Sequence, residues 1–202
     1  GMHTIKAMGE VDADKVLRLT MLFHDFGKPQ AKTTDVNGID HFRGHQDISE
    51  ELAGKILRRL KFDNETIRQV KKLVSCHDDH PARTPAGVRR AINRISTELF
   101  PLYLKVQRAD IMAQNPATRE DKLAKLYVVT ELYEQIQKEK DCVTLKQLAV
   151  TGRDLMMEGI PAGPGLGEVL AKLLDLVIED PKRNEKTWLL TEAKKIYKAS
   201  RE

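Results

Sequence analysis

Val16-Leu17-Arg18-Leu19-Thr20-Met21-Leu22-Phe23-His24-Asp25-Phe26-Gly27-Lys28-Pro29 sets an imidazole and a carboxylate at the end of an apolar run. Asp12 or Asp14 can cap the helix that this run forms, and Gly27 with Pro29 stops it. On such a helix His24 follows Leu17 by seven positions and Met21 by three, so it shares their buried face. Protein interiors accept such groups only when they are paired, hydrogen-bonded or bound to metal. The six histidines of the chain are His3, His24, His41, His45, His77 and His80, so none follows position 80.

The same pattern recurs further along. A helix capped by Asn64 and running through His77 puts that histidine in phase with Ile67, Val70 and Val74. A helix with Pro101 in its first turn, running to about Asn115, puts Asp110 in phase with Tyr103 and Val106. His45 aligns with Ile48 and Leu52 if the helix containing Ser49 begins early. One histidine on an apolar face is ordinarily a hydrogen-bonded core residue. Several inward-facing groups are costly unless something joins them, because a buried unpaired carboxylate costs several kcal/mol. A divalent ion joins them: nitrogen and carboxylate ligands suit Mn²⁺, Fe²⁺, Co²⁺, Ni²⁺ or Zn²⁺, and Mg²⁺ is admitted at the carboxylates. His41 and His80 are expected to be non-ligands, and Cys76 to be a core thiol.

Helix signals dominate elsewhere. Val88, Ile92, Ile95 and Leu99 form one face of a helix over 86–99. Thr118 with Asp121 resembles a capping box for a long helix to about Lys140. Short helices follow near 145–149 and 154–158. Leu166, Leu170, Leu173 and Val177 then make an amphipathic stripe, and Asn184 can cap a last helix. Residues 30–46 read as a polar loop with a tight turn at Asn37-Gly38. No stretch alternates as a strand does, so the expected fold is all-α. Its expected divisions are a helical domain over 1–115, a connecting helix over 116–141 and a small helical tail over 142–202.

Bulk properties limit the function. Aromatics at 5% make any core mainly aliphatic. No segment reaches the ~18 apolar residues of a membrane span, and no signal peptide is evident. Cys76 and Cys142 form no CxxC pair, which points to a reducing cytoplasm. Gly1-Met2 reads as the remnant of a cleaved tag. A net charge of +4 is compatible with phosphate or nucleic-acid partners.

Taken in order, His3, His24-Asp25, His45, His77 and Asp110 resemble the motif set of the HD superfamily of metal-dependent phosphohydrolases. Residues 16–29 resemble the HD segment of bacterial tRNA nucleotidyltransferases. So do His41-Phe42-Arg43-Gly44-His45, Gln107-Arg108-Ala109-Asp110-Ile111, Thr151-Gly152-Arg153-Asp154-Leu155 and the run from Gly159 to Gly167. The resemblance implies an HD-type helical domain in which His3, His24, Asp25 and Asp110 hold one metal ion. His45 and His77 would complete a second, with Asp25 bridging. It implies phosphomonoesterase or phosphodiesterase chemistry, with 2′,3′-cyclic or 2′-phosphate nucleotides among the substrates. Asp25 and Lys28 would be catalytic. Lys28 can present a cation to the phosphate, or it can balance a helix C-terminus. The competing reading is a catalytically silent helical body and tail that holds tRNA for a nucleotidyltransferase head.

Nucleotidyl transfer needs a Gly-Ser phosphate loop and strand-borne aspartates. Asp12-Ala13-Asp14 imitates the aspartates only, in the context of a helix cap, so this chain is expected to lack the head. His3, in the first turn of its helix, is expected to be the least reliable ligand. Arg90 and Arg94 share a polar helix face that is either solvated or a phosphate contact at the metal cleft or along RNA. Lys182, Arg183 and Lys186 could meet a tRNA backbone, as the resemblance implies.

Overall fold

Asp14 starts the helix that carries the His-Asp pair: its carboxylate accepts the Leu17 N–H at 2.9 Å. The computed structural model describes residues 2–200, so Gly1 of the terminal pair lies outside the described residues. Helix α1 spans Met2–Gly9, α2 Lys15–Phe23 and α3 Lys28–Ala31. Then come α4 (His45–Arg59), α5 (Asn64–Cys76), α6 (Pro85–Ile95), α7 (Phe100–Ala113) and α8 (Pro116–Glu139). A 3-10 turn over Leu145–Gln147 precedes α9 (Gly152–Met157), α10 (Pro164–Glu179) and α11 (Lys186–Ala199). The fold is all-α. A small departure falls inside the expected polar loop, where β1 (Thr33–Thr34) and β2 (Asp40–His41) pair antiparallel. Two residues per strand are too few for alternation to show.

The chain forms two units. One comprises residues up to Pro81 with Ile95–Thr130; the other comprises Ala82–Arg94 with the residues from Glu131 onward. This differs from the sequence-based division in two ways. Residues 82–94 group with the C-terminal part, and the border falls inside α8.

In the first unit, α1, α2 and α7 meet through Ala7, Leu17, Met21, Val106 and Ala109. Helices α4 and α5 pack against one another, burying Ala53 and Leu57 along with Val70, Leu73 and Val74. Each of these Leu and Val side chains contributes about 1.5–3 kcal/mol on burial. Gly44, at φ +74, turns the chain sharply so that α4 begins at His45. The early start that His45 needs is therefore present, and Ser49 sits a full turn inside the helix. Several caps differ from expectation by one to three residues. Asp63, not Asn64, caps α5. Helix α8 begins at Pro116, with Asn115 Oδ1 accepting from Ala117 N–H, so the Thr118–Asp121 box is not used.

In the second unit, Leu155, Leu173, Val177, Ile178, Leu189 and Ala193 form the core. Arg89 is buried and fastens α6 there: Nη1 donates to Asp141 at 2.8 Å and Nε to the Ile178 carbonyl at 2.7 Å. Glu185 caps α11. Asn184, expected to do so, instead bridges the Ala149 N–H at 2.8 Å and the Gln147 carbonyl at 3.0 Å. Among the described residues no helix is long and apolar enough to cross a membrane.

Candidate metal centre

His24 and Asp25 follow the last turn of α2, and further helices bring polar groups to them. Helix α1 presents His3, α4 presents His45 from its first position, and α7 presents Asp110, while His77 caps the C-terminus of α5. His24, His45 and His77 are buried. Each donates its Nδ1–H to a carbonyl in the preceding turn or loop: Met21 at 2.7 Å, Phe42 at 2.9 Å and Val74 at 2.7 Å. In the neutral imidazole this leaves Nε2 with the lone pair, the form in which imidazole binds metal.

The bare nitrogens face one another. His45 Nε2 and His77 Nε2 are 3.2 Å apart, and both lie near Asp25 Oδ1, at 3.6 and 3.8 Å. This carboxylate oxygen is buried and has no hydrogen-bond partner. Two opposed lone pairs beside an unpartnered carboxylate oxygen are unfavourable without a cation between them. On the other side of Asp25, His3 Nε2 lies 3.2 Å from His24 Nε2 and 2.9 Å from Asp110 Oδ1. Asp25 Oδ2 lies 3.4 Å from His24 Nε2 and 3.8 Å from His3 Nε2. Two sets of donors result, His3–His24–Asp25 and Asp25–His45–His77, each close enough to share one divalent ion. Asp110 adjoins the first.

The electrostatics agree. Burial works against a charged His24, but the Asp110 and Asp25 carboxylates outweigh it and raise its pKa to about 9. Burial lowers His77 to about 4, so it stays neutral. Burial also opposes ionisation of Asp25, yet His24 and Lys28 hold it well below the usual carboxylate range. Asp110 is shifted the same way, mainly by His24 against the cost of burial.

All six residues of the expected ligand set therefore meet in one cluster. His3 is the most accessible of its histidines, with 31% of its side chain exposed and its Nδ1 at a long 3.4 Å from the Ala113 carbonyl. An open cavity of 510 Å³ stands over the cluster, with Lys28, Phe42, Arg43 and Gln114 in its wall. Lys28 Nζ donates to Asp25 Oδ2 at 2.7 Å, which places a cation at both the cavity and the cluster. His41 pairs with Asp35 at 3.0 Å, and His80 is exposed. Neither belongs to the donor sets. Arg90 and Arg94 do not line this cavity. Arg90 instead pairs with Glu179 within the second unit. Sequence reasoning passes over two contributors. Ser49 Oγ accepts the Gly27 N–H at 2.8 Å, and Gln114 Nε2 donates to Asp110 Oδ2 at 2.6 Å. Gln114 lies just past a helix end, where periodicity assigns no face.

Fold and site together define an all-α protein with a buried cluster of His and Asp donors. Residues 39–193 match the family described as tRNA nucleotidyltransferase domain 2, and the chain belongs to that family. The match begins after His24-Asp25 and runs through both units. The chain is 29% identical over 181 residues to the A-adding tRNA nucleotidyltransferase of Deinococcus radiodurans, covering 86% of this chain and 41% of that protein. It is 30% identical over 184 residues to the CC-adding tRNA nucleotidyltransferase of Thermus thermophilus, covering 88% of this chain and 40% of that one. The chain thus spans about two fifths of the relatives it matches.

Proposed function

We propose that the chain is a helical body and tail that holds tRNA for a nucleotidyltransferase head. The observation that supports this is the family match across both units, joined by relatives whose names differ in what they add. A body common to A-adding and CC-adding enzymes suits a role in holding the substrate rather than selecting the nucleotide. Lys182 and Lys186 lie on the tail, and the Arg183 guanidinium is 5.6 Å from the Trp188 ring centroid, which suits contact with phosphate and base. A salt-dependent binding titration tests it. The chain should bind tRNA more tightly than an unstructured RNA of equal length, with affinity falling steeply as salt rises. Equal affinity for both RNAs would sink the reading.

A second reading rests on the cluster: a metal-dependent phosphohydrolase centre of the HD superfamily. The buried unpartnered Asp25 Oδ1 and the opposed bare nitrogens fit a divalent ion. His3, His24, Asp25 and Asp110 would hold one ion, and Asp25, His45 and His77 a second. Such an ion supplies Lewis acidity toward a phosphoryl oxygen. The protein's own groups do the rest. Lys28 offers its ammonium to a phosphate in the cavity, and Asp25 keeps that ammonium oriented. The carbonyl contacts of Nδ1 turn the Nε2 atom of each buried imidazole toward the cluster. Phosphate-ester hydrolysis assays with Mn²⁺, Co²⁺ and Ni²⁺, on generic and 2′,3′-cyclic substrates, test this reading. Activity abolished in Asp25→Ala supports it; activity unchanged in that variant removes the cluster from the chemistry.

A further inference from the structure

We propose that Gln114 is the positioning residue that fixes Asp110 as a ligand and ties the cluster to α8. This rests on the reading of the cluster as a metal centre. Gln114 follows the last turn of α7, and its backbone N–H bonds back to the Ile111 carbonyl at 3.1 Å. Its own carbonyl accepts from Arg119 Nη2 at 3.2 Å. Its side-chain amide lies between opposite charges. Nε2 donates to Asp110 Oδ2 at 2.6 Å, and Oε1 accepts from Lys122 Nζ. The neighbours set the amide's direction. A carboxylate takes only the N–H side and an ammonium only the oxygen side, so flipping it would set like against like at both ends.

The consequence falls on Asp110. With Oδ2 anchored by Gln114, Oδ1 faces His3 Nε2 at 2.9 Å and His24 Nε2 at 3.5 Å. Without the anchor the carboxylate is held at Oδ1 alone, and ordering it on metal binding costs affinity. The amide reaches the cluster through Asp110, so its effect belongs to the half that contains His3. Lys122 acts one step further out, by orienting the amide.

The test is a Co²⁺ titration of the full chain, followed by calorimetry and by the visible d–d absorption. His3→Ala identifies which binding event belongs to the His3 half. In Gln114→Leu that event should weaken by about 10–100-fold, the usual effect of removing such a supporting hydrogen bond. The other event and the thermal midpoint of the metal-free protein should not change. Lys122→Met should weaken the same event by a smaller factor, and Gln114→Asn should restore less than the native side chain. An unchanged His3-half affinity in Gln114→Leu overturns the inference alone. So does an equal weakening of both events, which marks a general structural role. Wild-type protein that binds no Co²⁺ overturns the metal reading and this inference with it; Co²⁺ binding indifferent to His3→Ala overturns the His3 half and this inference, and leaves the Asp25–His45–His77 half standing.

Discussion

Gly27 is required by a close approach rather than by an unusual backbone, since its φ is −78°. A Cβ added there would lie 2.3 Å from the His45 carbonyl oxygen and 2.8 Å from Ser49 N. The first turn of α4 would have to move, and His45 with it. Gly27→Ala is expected to lower stability by about 1–3 kcal/mol, the usual range for overpacking. It should also weaken metal binding; a urea titration and a Co²⁺ titration check the two effects. His24 gives a second prediction at this scale. Its pKa in the metal-free protein is raised to about 9, so at neutral pH the nitrogen that would bind metal carries a proton. Metal must displace it. Affinity should therefore rise with pH, by about tenfold per unit, and level off near the raised pKa. Calorimetry between about pH 6.5 and 8.5 measures the slope, and a flat profile would contradict the assignment of His24 as a ligand.

At the scale of elements, each polar group of the cluster is placed by a helix end or a helix face, and the caps decide which. Gly44 starts α4 at His45, while the end of α5 leaves His77 as its cap. In the second unit the corresponding device is Arg89. It is buried, meets the Asp141 carboxylate, and donates to two carbonyls near the end of α10. Arg89→Met leaves a buried carboxylate and those carbonyls without their donor. The expected loss of stability is about 3–5 kcal/mol, as for other buried pairs broken on one side. Trp188 is the only tryptophan and lies in this unit, so its fluorescence during urea unfolding reports the effect directly.

At the scale of the whole molecule, the proposed metal centre and the proposed tRNA contacts fall on different parts of the chain. The donor sets lie entirely in the first unit, and the Lys182–Lys186 segment lies in the second. The two properties should therefore separate. Lys182→Glu with Lys186→Glu should weaken tRNA binding and reduce its salt slope by about 0.9 for each phosphate no longer neutralised. Co²⁺ binding should not change. Asp25→Ala should abolish Co²⁺ binding at both halves of the cluster, since both use Asp25, and should leave the tRNA isotherm in place. Loss of both properties in either variant would contradict their separation.

Helical phase put His24, His77 and Asp110 on inward faces, and His45 with them if its helix began early; resemblance to a known motif set added His3. The all-α character and most helices were legible in the same way, because apolar side chains must share one face to be buried. Phase says which way a side chain points on its own helix, but not what it meets. Only the tertiary structure brought the five segments together, split the donors into two sets about Asp25, and left Asp25 Oδ1 unpartnered between two bare nitrogens. It also showed Gly27 beneath α4, Gln114 behind Asp110, and Arg90 paired with Glu179 rather than lining the cavity. These contacts join residues from different helices or fall where the backbone leaves a helix. Local periodicity carries no information about either, because their energy comes from partners that the helical repeat does not relate.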